Sequence, residues 1–149
     1  MHIDERPASW RSTVNAEQAS LFVMLARELI QTYTKCSNIS LSQWFELPEY
    51  NRFLVGAYAC GFVCRDFAPM SNFEDYNSWP RKYLSDCPFK TLRHWLHSLI
   101  RSERWAFPYS SPIQEAIRNE ILQIVLDRLE RDDSLRKPMI VICDESQLS

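Results

Sequence analysis

Glycine is almost missing from this chain: Gly56 and Gly61 are the only two among 149 residues. Hairpin turns at positive φ and phosphate-cradling loops both depend on glycine. A β-rich or nucleotide-loop fold is therefore poorly served, and helices are expected. A dominant charge is missing too, because 17 Lys and Arg face 19 Asp and Glu for a net charge of −2. That balance argues against a generally basic nucleic-acid coat and against a strongly acidic nucleic-acid mimic, and leaves room only for a local patch. The most apolar run, FLVGAYACGFVC at 53–64, falls well short of the roughly 18 residues of a membrane span. No cleavable apolar segment opens the chain, and the five cysteines are odd in number without a secreted framework's spacing. Reduced thiols and a cytoplasmic location are expected.

What remains is a chain rich in aromatics, with five Trp, six Tyr and eight Phe, and marked by helix signals. Residues 1–14 are polar and proline-marked and read as a loosely held arm. A helical domain is expected over 15–133. Asn15 with Gln18 predicts a capping box, after which Leu21, Phe22, Leu25, Leu29 and Tyr33 lie on one face of a first long helix. SLSQWF at 40–45 reads as a short helical turn. Pro48 suits a first turn, and the stretch from there to Cys64 reads as a second long helix, with a buried strand as the alternative for 53–64. The two glycines in it would let another helix approach closely.

From Arg65 to Pro88 three prolines and no sustained period predict a long loop pinned by aromatic anchors, with a short helix at Trp79 to Leu84. A third long helix starts at Phe89 and is stopped by Pro108. Ser111, Pro112 and Gln114 form the clearest helix start in the chain, and a five-turn helix is expected from Ile113 to Asp133. Residues 134–149 read as a tail in which PMIVIC at 138–143 is a short apolar run, either a lone strand or a segment tucked on the surface. A lone strand needs a partner, which a homodimer would supply. The fold class is all-α: one domain of four main helices.

The stretch LRHWLHSLIRSERW at 92–105 carries the most chemistry. On a helical wheel Leu92, Trp95, Leu96, Leu99 and Ile100 share one face, while Arg93, His97, Arg101 and Arg104 fall within about 80° on the neighbouring one. That spacing predicts a cationic ridge, suited to an acidic protein surface or to phosphates. A solvated face paired to Asp75, Asp86 or Glu120 would explain the same pattern. Glu103 projects from the apolar face near the helix C-terminus, where the dipole disfavours an anion. It needs a partner, and Arg118 and Arg128 on the last helix are the expected ones. No second carboxylate at a defined spacing accompanies it, so a catalytic role is not the expectation.

TLRHWLHSLIRSERW, followed after a proline-containing turn by a long helix ending IVLDRLE, resembles the C-terminal part of an uncharacterised family of bacterial and phage proteins. The family carries an Arg-x-Glu-Arg-aromatic signature and then a helix ending in Arg-Leu. Arg101, Glu103, Arg104 and Trp105, then Arg128 and Leu129, match it, and RDF at 65–67 matches more weakly. Ala106, Phe107 and Pro108 stand where the family's glycine would follow the aromatic. The resemblance implies a bacterial or mobile-element origin and no particular activity.

Two enzyme-like readings compete. Cys60 and Cys64 at i, i+4 and His94 and His97 at i, i+3 would make a zinc set if their helices packed side by side, although such cysteines on an apolar helix are more often two buried thiols. Cys87, just before a helix N-terminus, is the best-placed nucleophile, but it lacks a recognisable signature. No cofactor is expected. The sequence points to non-enzymatic binding of a protein or nucleoprotein partner, and a role as an inhibitor or accessory factor is what the resemblance implies. The expected surface combines Arg93, His97, Arg101 and Arg104 with the loop aromatics Phe73, Tyr76 and Trp79. Direct nucleic-acid binding by the cationic face is the alternative.

Overall fold

The computed structural model describes residues 14–36, 38–63 and 81–131, and every regular element among them is a helix. Helix α1, Ala16–Lys35, starts at the expected capping box. Asn15 Oδ1 accepts the Gln18 N–H at 2.8 Å and Gln18 Oε1 accepts the Asn15 N–H at 2.9 Å. Two orphan donors are thereby satisfied, a cap worth about 1 kcal/mol. The buried side of α1 is Ala19, Phe22, Val23, Ala26, Leu29 and Tyr33. Leu21, expected inside, is exposed. A second capping box, Ser40 with Gln43, opens the short α2, Leu41–Phe45, and holds Trp44 fully buried.

Helix α3, Pro48–Ala59, begins at a first-turn proline and settles the helix-or-strand alternative for its part of 53–64. It stops before Cys64 for a physical reason. Gly61 takes φ 88°, its N–H donates to Tyr58 O at 3.2 Å, and the Phe62 N–H donates to Ala57 O at 2.9 Å. This pair of bonds around a left-handed residue is the Schellman stop, which glycine adopts at least cost. Only Gly56 serves the close approach expected of both glycines, since a Cβ there would overlap Leu25 Cδ1 of α1. Phe22, Phe53 and Phe62 fill the α1–α3 seam, with the rings of Phe22 and Phe62 stacked at 4.3 Å.

Residues 64–80 lie outside the described residues, and so do Cys64, Phe73, Tyr76 and Trp79. Residues 1–13 of the expected 1–14 arm and the 138–143 run lie outside them as well, while Val14, the last residue of that arm, is buried in the core. The short helix expected at 79–84 is α4, Arg81–Asp86, a little further along. Helix α5, Phe89–Ala106, buries the predicted Leu92, Trp95, Leu96, Leu99 and Ile100.

The single helix expected over 113–133 is instead two, α6, Pro112–Arg118, and α7, Ile121–Glu130. Glu120 between them sits at φ 67°. Periodicity passes over this break because Ile113, Ile117 and Ile121 keep their i, i+4 spacing and all stay buried. Side-chain amides take up the backbone groups it frees. Asn119 Oδ1 accepts the Ile121 N–H at 3.3 Å, and Gln123 Nε2 donates to Ile117 O at 3.2 Å. The bend lets α6 pack on α5 while α7 packs on α1 and α4.

Candidate functional site

Helices α5 and α6 are joined by a tight turn, and that turn decides where Glu103 goes. The side chain, 2 % exposed, lies at the N-terminus of α6. Glu103 Oε1 accepts the Ile113 N–H at 2.9 Å, while Oε2 accepts the Tyr50 hydroxyl at 2.8 Å and the Ser111 hydroxyl at 2.6 Å. Ser111 Oγ in turn accepts from Trp44 Nε1 at 2.9 Å and from the Gln114 N–H at 3.1 Å. Pro112 has no N–H to satisfy, so Glu103 and Ser111 between them cap the free donors of α6, at the end of a helix where the dipole favours an anion. One network thus ties α2, α3, α5 and α6 together.

The expected ion pair of Glu103 with Arg118 and Arg128 is not formed. Arg118 is exposed and reaches Gln114 Oε1 at 3.4 Å, and Arg128 Nη2 donates to Cys87 O at 2.8 Å. Neutral hydroxyls and a helix end take the place of a cation. Burial raises the Glu103 pKa above the ordinary carboxylate value, outweighing the Ile113 N–H and the Ser111 and Tyr50 hydroxyls, which pull it down. Burial likewise lifts the Tyr50 phenol far above its usual range, and the neighbouring carboxylate adds to the shift.

Above this network opens a cleft of about 420 Å³, lined by Phe45 of α2, Tyr50, Leu54 and Tyr58 of α3, and Ile100, Glu103, Arg104 and Phe107 from α5 and its C-cap. A second hollow, of about 440 Å³, adjoins it and shares Phe45 and Phe107 as walls, with Leu41, Ser42, Glu46 and Pro108 completing it. The Phe45 and Phe107 rings meet edge to face at 4.7 Å between the two. Phe107 remains 55 % exposed. A concave, mainly apolar lining rich in aromatic rings, with a small number of polar groups, is the usual makeup of a binding site.

The expected cationic ridge is not a surface. Arg93 is 7 % exposed and His97 fully buried. The guanidinium of Arg93 turns inward, its Nε and Nη2 donating to Gly61 O at 2.9 and 2.7 Å. It clamps α5 to the stop of α3, a backbone partner that no spacing in the sequence announces. Arg101 is half-buried and Arg104 exposed, and of the four only Arg104 lines the cleft. Trp105, 61 % exposed, lies about 200° round α5 from Glu103 and so faces away from it.

The zinc reading finds no support among the described residues. No three His, Cys, Asp or Glu there are grouped to hold a metal, and the His94 and His97 ring centres stand 6.0 Å apart. Cys87 is buried, with Sγ 3.8 Å from Leu84 O. Burial raises its thiol pKa, and the opposing pull of Arg128 is smaller. That is the reverse of the activation expected at a helix N-terminus.

No family model, curated protein or solved structure matches the chain. Among the described residues no helix is long and apolar enough to cross a membrane. The residues that sequence reasoning missed are Phe45, Tyr50, Leu54, Tyr58 and Phe107. One signal for the network is present: Glu103 lies eight residues before Ser111, across the proline-containing turn from the Ser111-Pro112 helix start, and a helix N-terminus is a ready partner for an anion.

Proposed function

We propose that the protein is a non-enzymatic binding module that docks a protein partner in the α3–α5 cleft. The observation that carries this reading is the cleft itself. Half of its lining residues are aromatic, Phe107 stands open to solvent, and Arg104 is the exposed charge at its rim. Aromatic side chains and arginine dominate the energetics of protein interfaces. The buried carboxylate in the lining supports binding over catalysis, because three donors already engage it. Direct nucleic-acid binding is the weaker reading, since burial of Arg93 and His97 removes half of the cationic ridge it relies on. A role as an inhibitor or accessory factor in a bacterial or phage setting rests on the family resemblance alone.

The test is site-specific photo-crosslinking, with a benzophenone amino acid placed at position 107 in the cleft or at position 24, an exposed site on α1. Host lysate with and without nuclease supplies the partners. A nuclease-resistant protein adduct from position 107 and none from position 24 is the expected result. Adducts to nucleic acid, or protein adducts from position 24 alone, would overturn the assignment.

A further inference from the structure

With the cleft as the docking site, a reading on which this inference rests, its charges specify what the partner presents. The two hollows share the Phe45 and Phe107 walls and lie as adjoining lobes about that ring pair. Each lobe holds one exposed charge, Arg104 in the α3–α5 lobe and Glu46 in the other. Glu103, the other charged group in the first lobe, is engaged by Ile113, Tyr50 and Ser111 and lies at the floor. No ion pair joins Arg104 to Glu46, and neither side chain has a hydrogen bond or ion pair to any described residue. A charge beside an apolar wall is screened less once a ligand excludes water, so an opposite charge on the ligand gains more there than on open surface.

We propose that the two lobes act as one groove and take an apolar peptide segment of a partner protein that sets an aromatic or leucine-like side chain in the α3–α5 lobe, a carboxylate on Arg104 and a basic residue on Glu46. The polarity is defined: acidic towards the α5 end, basic towards α2. Like-charged segments are rejected at both ends, which gives selectivity beyond what apolar burial supplies.

Panning a phage-displayed library of short random peptides on the full-length protein tests this. Leu54→Trp, which puts a larger ring into the half-buried cleft wall, serves as the blocked control once its circular dichroism and melting are shown to match wild type. Enriched peptides are expected to carry one large apolar residue flanked by an acid and a base. Their synthetic versions should bind about tenfold more weakly to Leu54→Trp and to Arg104→Glu. Panning on Arg104→Glu should replace the acid with a base, and panning on Glu46→Lys should do the converse. Cleft-dependent peptides without an acidic residue, or indifferent to Arg104→Glu, would overturn the charge rule while leaving the cleft as the site. Peptides that bind Leu54→Trp as tightly as wild type, or no enrichment at all, would overturn the cleft reading and the charge rule with it.

Discussion

Glu103→Ala removes the acceptor at the centre of the α2–α3–α5–α6 network. It strips acceptors from the Ile113 N–H, the Tyr50 hydroxyl and the Ser111 hydroxyl. The hydroxyls can rotate towards other acceptors, but the Ile113 N–H cannot. Leaving a buried donor unsatisfied costs about 1–3 kcal/mol, and the cavity adds to it, while release of a buried carboxylate offsets part. The expected net loss is about 3–4 kcal/mol. Glu103→Gln keeps the shape but adds a donor. Facing Ser111 Oγ, its NH₂ would meet an oxygen already accepting from Trp44 and Gln114; facing Ile113, it would meet an N–H. One donor–donor conflict is unavoidable, so about 1–2 kcal/mol is expected. Tyr50→Phe removes one hydrogen bond to the carboxylate and should cost about 1–2 kcal/mol. Urea unfolding at pH 7, followed by circular dichroism with the slope checked for constancy, measures all three. Glu103→Ala within 1 kcal/mol of wild type, or less damaging than Glu103→Gln, would refute the reasoning.

Because burial raises the folded-state pKa of Glu103, the folded protein binds a proton more tightly there than the unfolded chain. That contribution is complete below the unfolded value of about 4.3 and is lost as pH rises through the folded value. The stability advantage of wild type over Glu103→Gln should therefore shrink as pH is raised across that window, and a widening gap would contradict the assignment. Gly61→Ala should cost about 1–2 kcal/mol in the same unfolding assay, from φ alone. Space is not the obstacle, because a Cβ there meets nothing closer than Val14 Cγ2 at 3.4 Å. Arg27 bridges Asp127 at 2.7 Å and Glu130 at 2.8 Å. These partners are substantially exposed, so a double-mutant cycle should find no more than about 1 kcal/mol of coupling, falling with added salt.

Local signals carried further into the structure than patterns that depend on neighbours. The Asn15 cap, the Pro48 and Pro112 first turns and the apolar face of α5 are written within a few residues of each other, and the helices start where those residues stand. The break at Glu120 was invisible because the isoleucine spacing runs through it and neither glycine nor proline marks it. Arg93 looked like part of a charged stripe because its partner, Gly61 O, is a backbone atom on another helix. Helical position marks Glu103 as a carboxylate on the apolar face in need of a partner, but the partners are two hydroxyls and a helix end, which lie on other elements, and not an arginine. The cleft has no local signature, since Phe45, Leu54 and Phe107 come from separate elements.

The most direct measurement is the affinity of the partner crosslinked through position 107 for wild type and for folded Leu54→Trp, by titration calorimetry. Docking in the cleft predicts a loss of about tenfold or more. Equal affinity for the two proteins would contradict it.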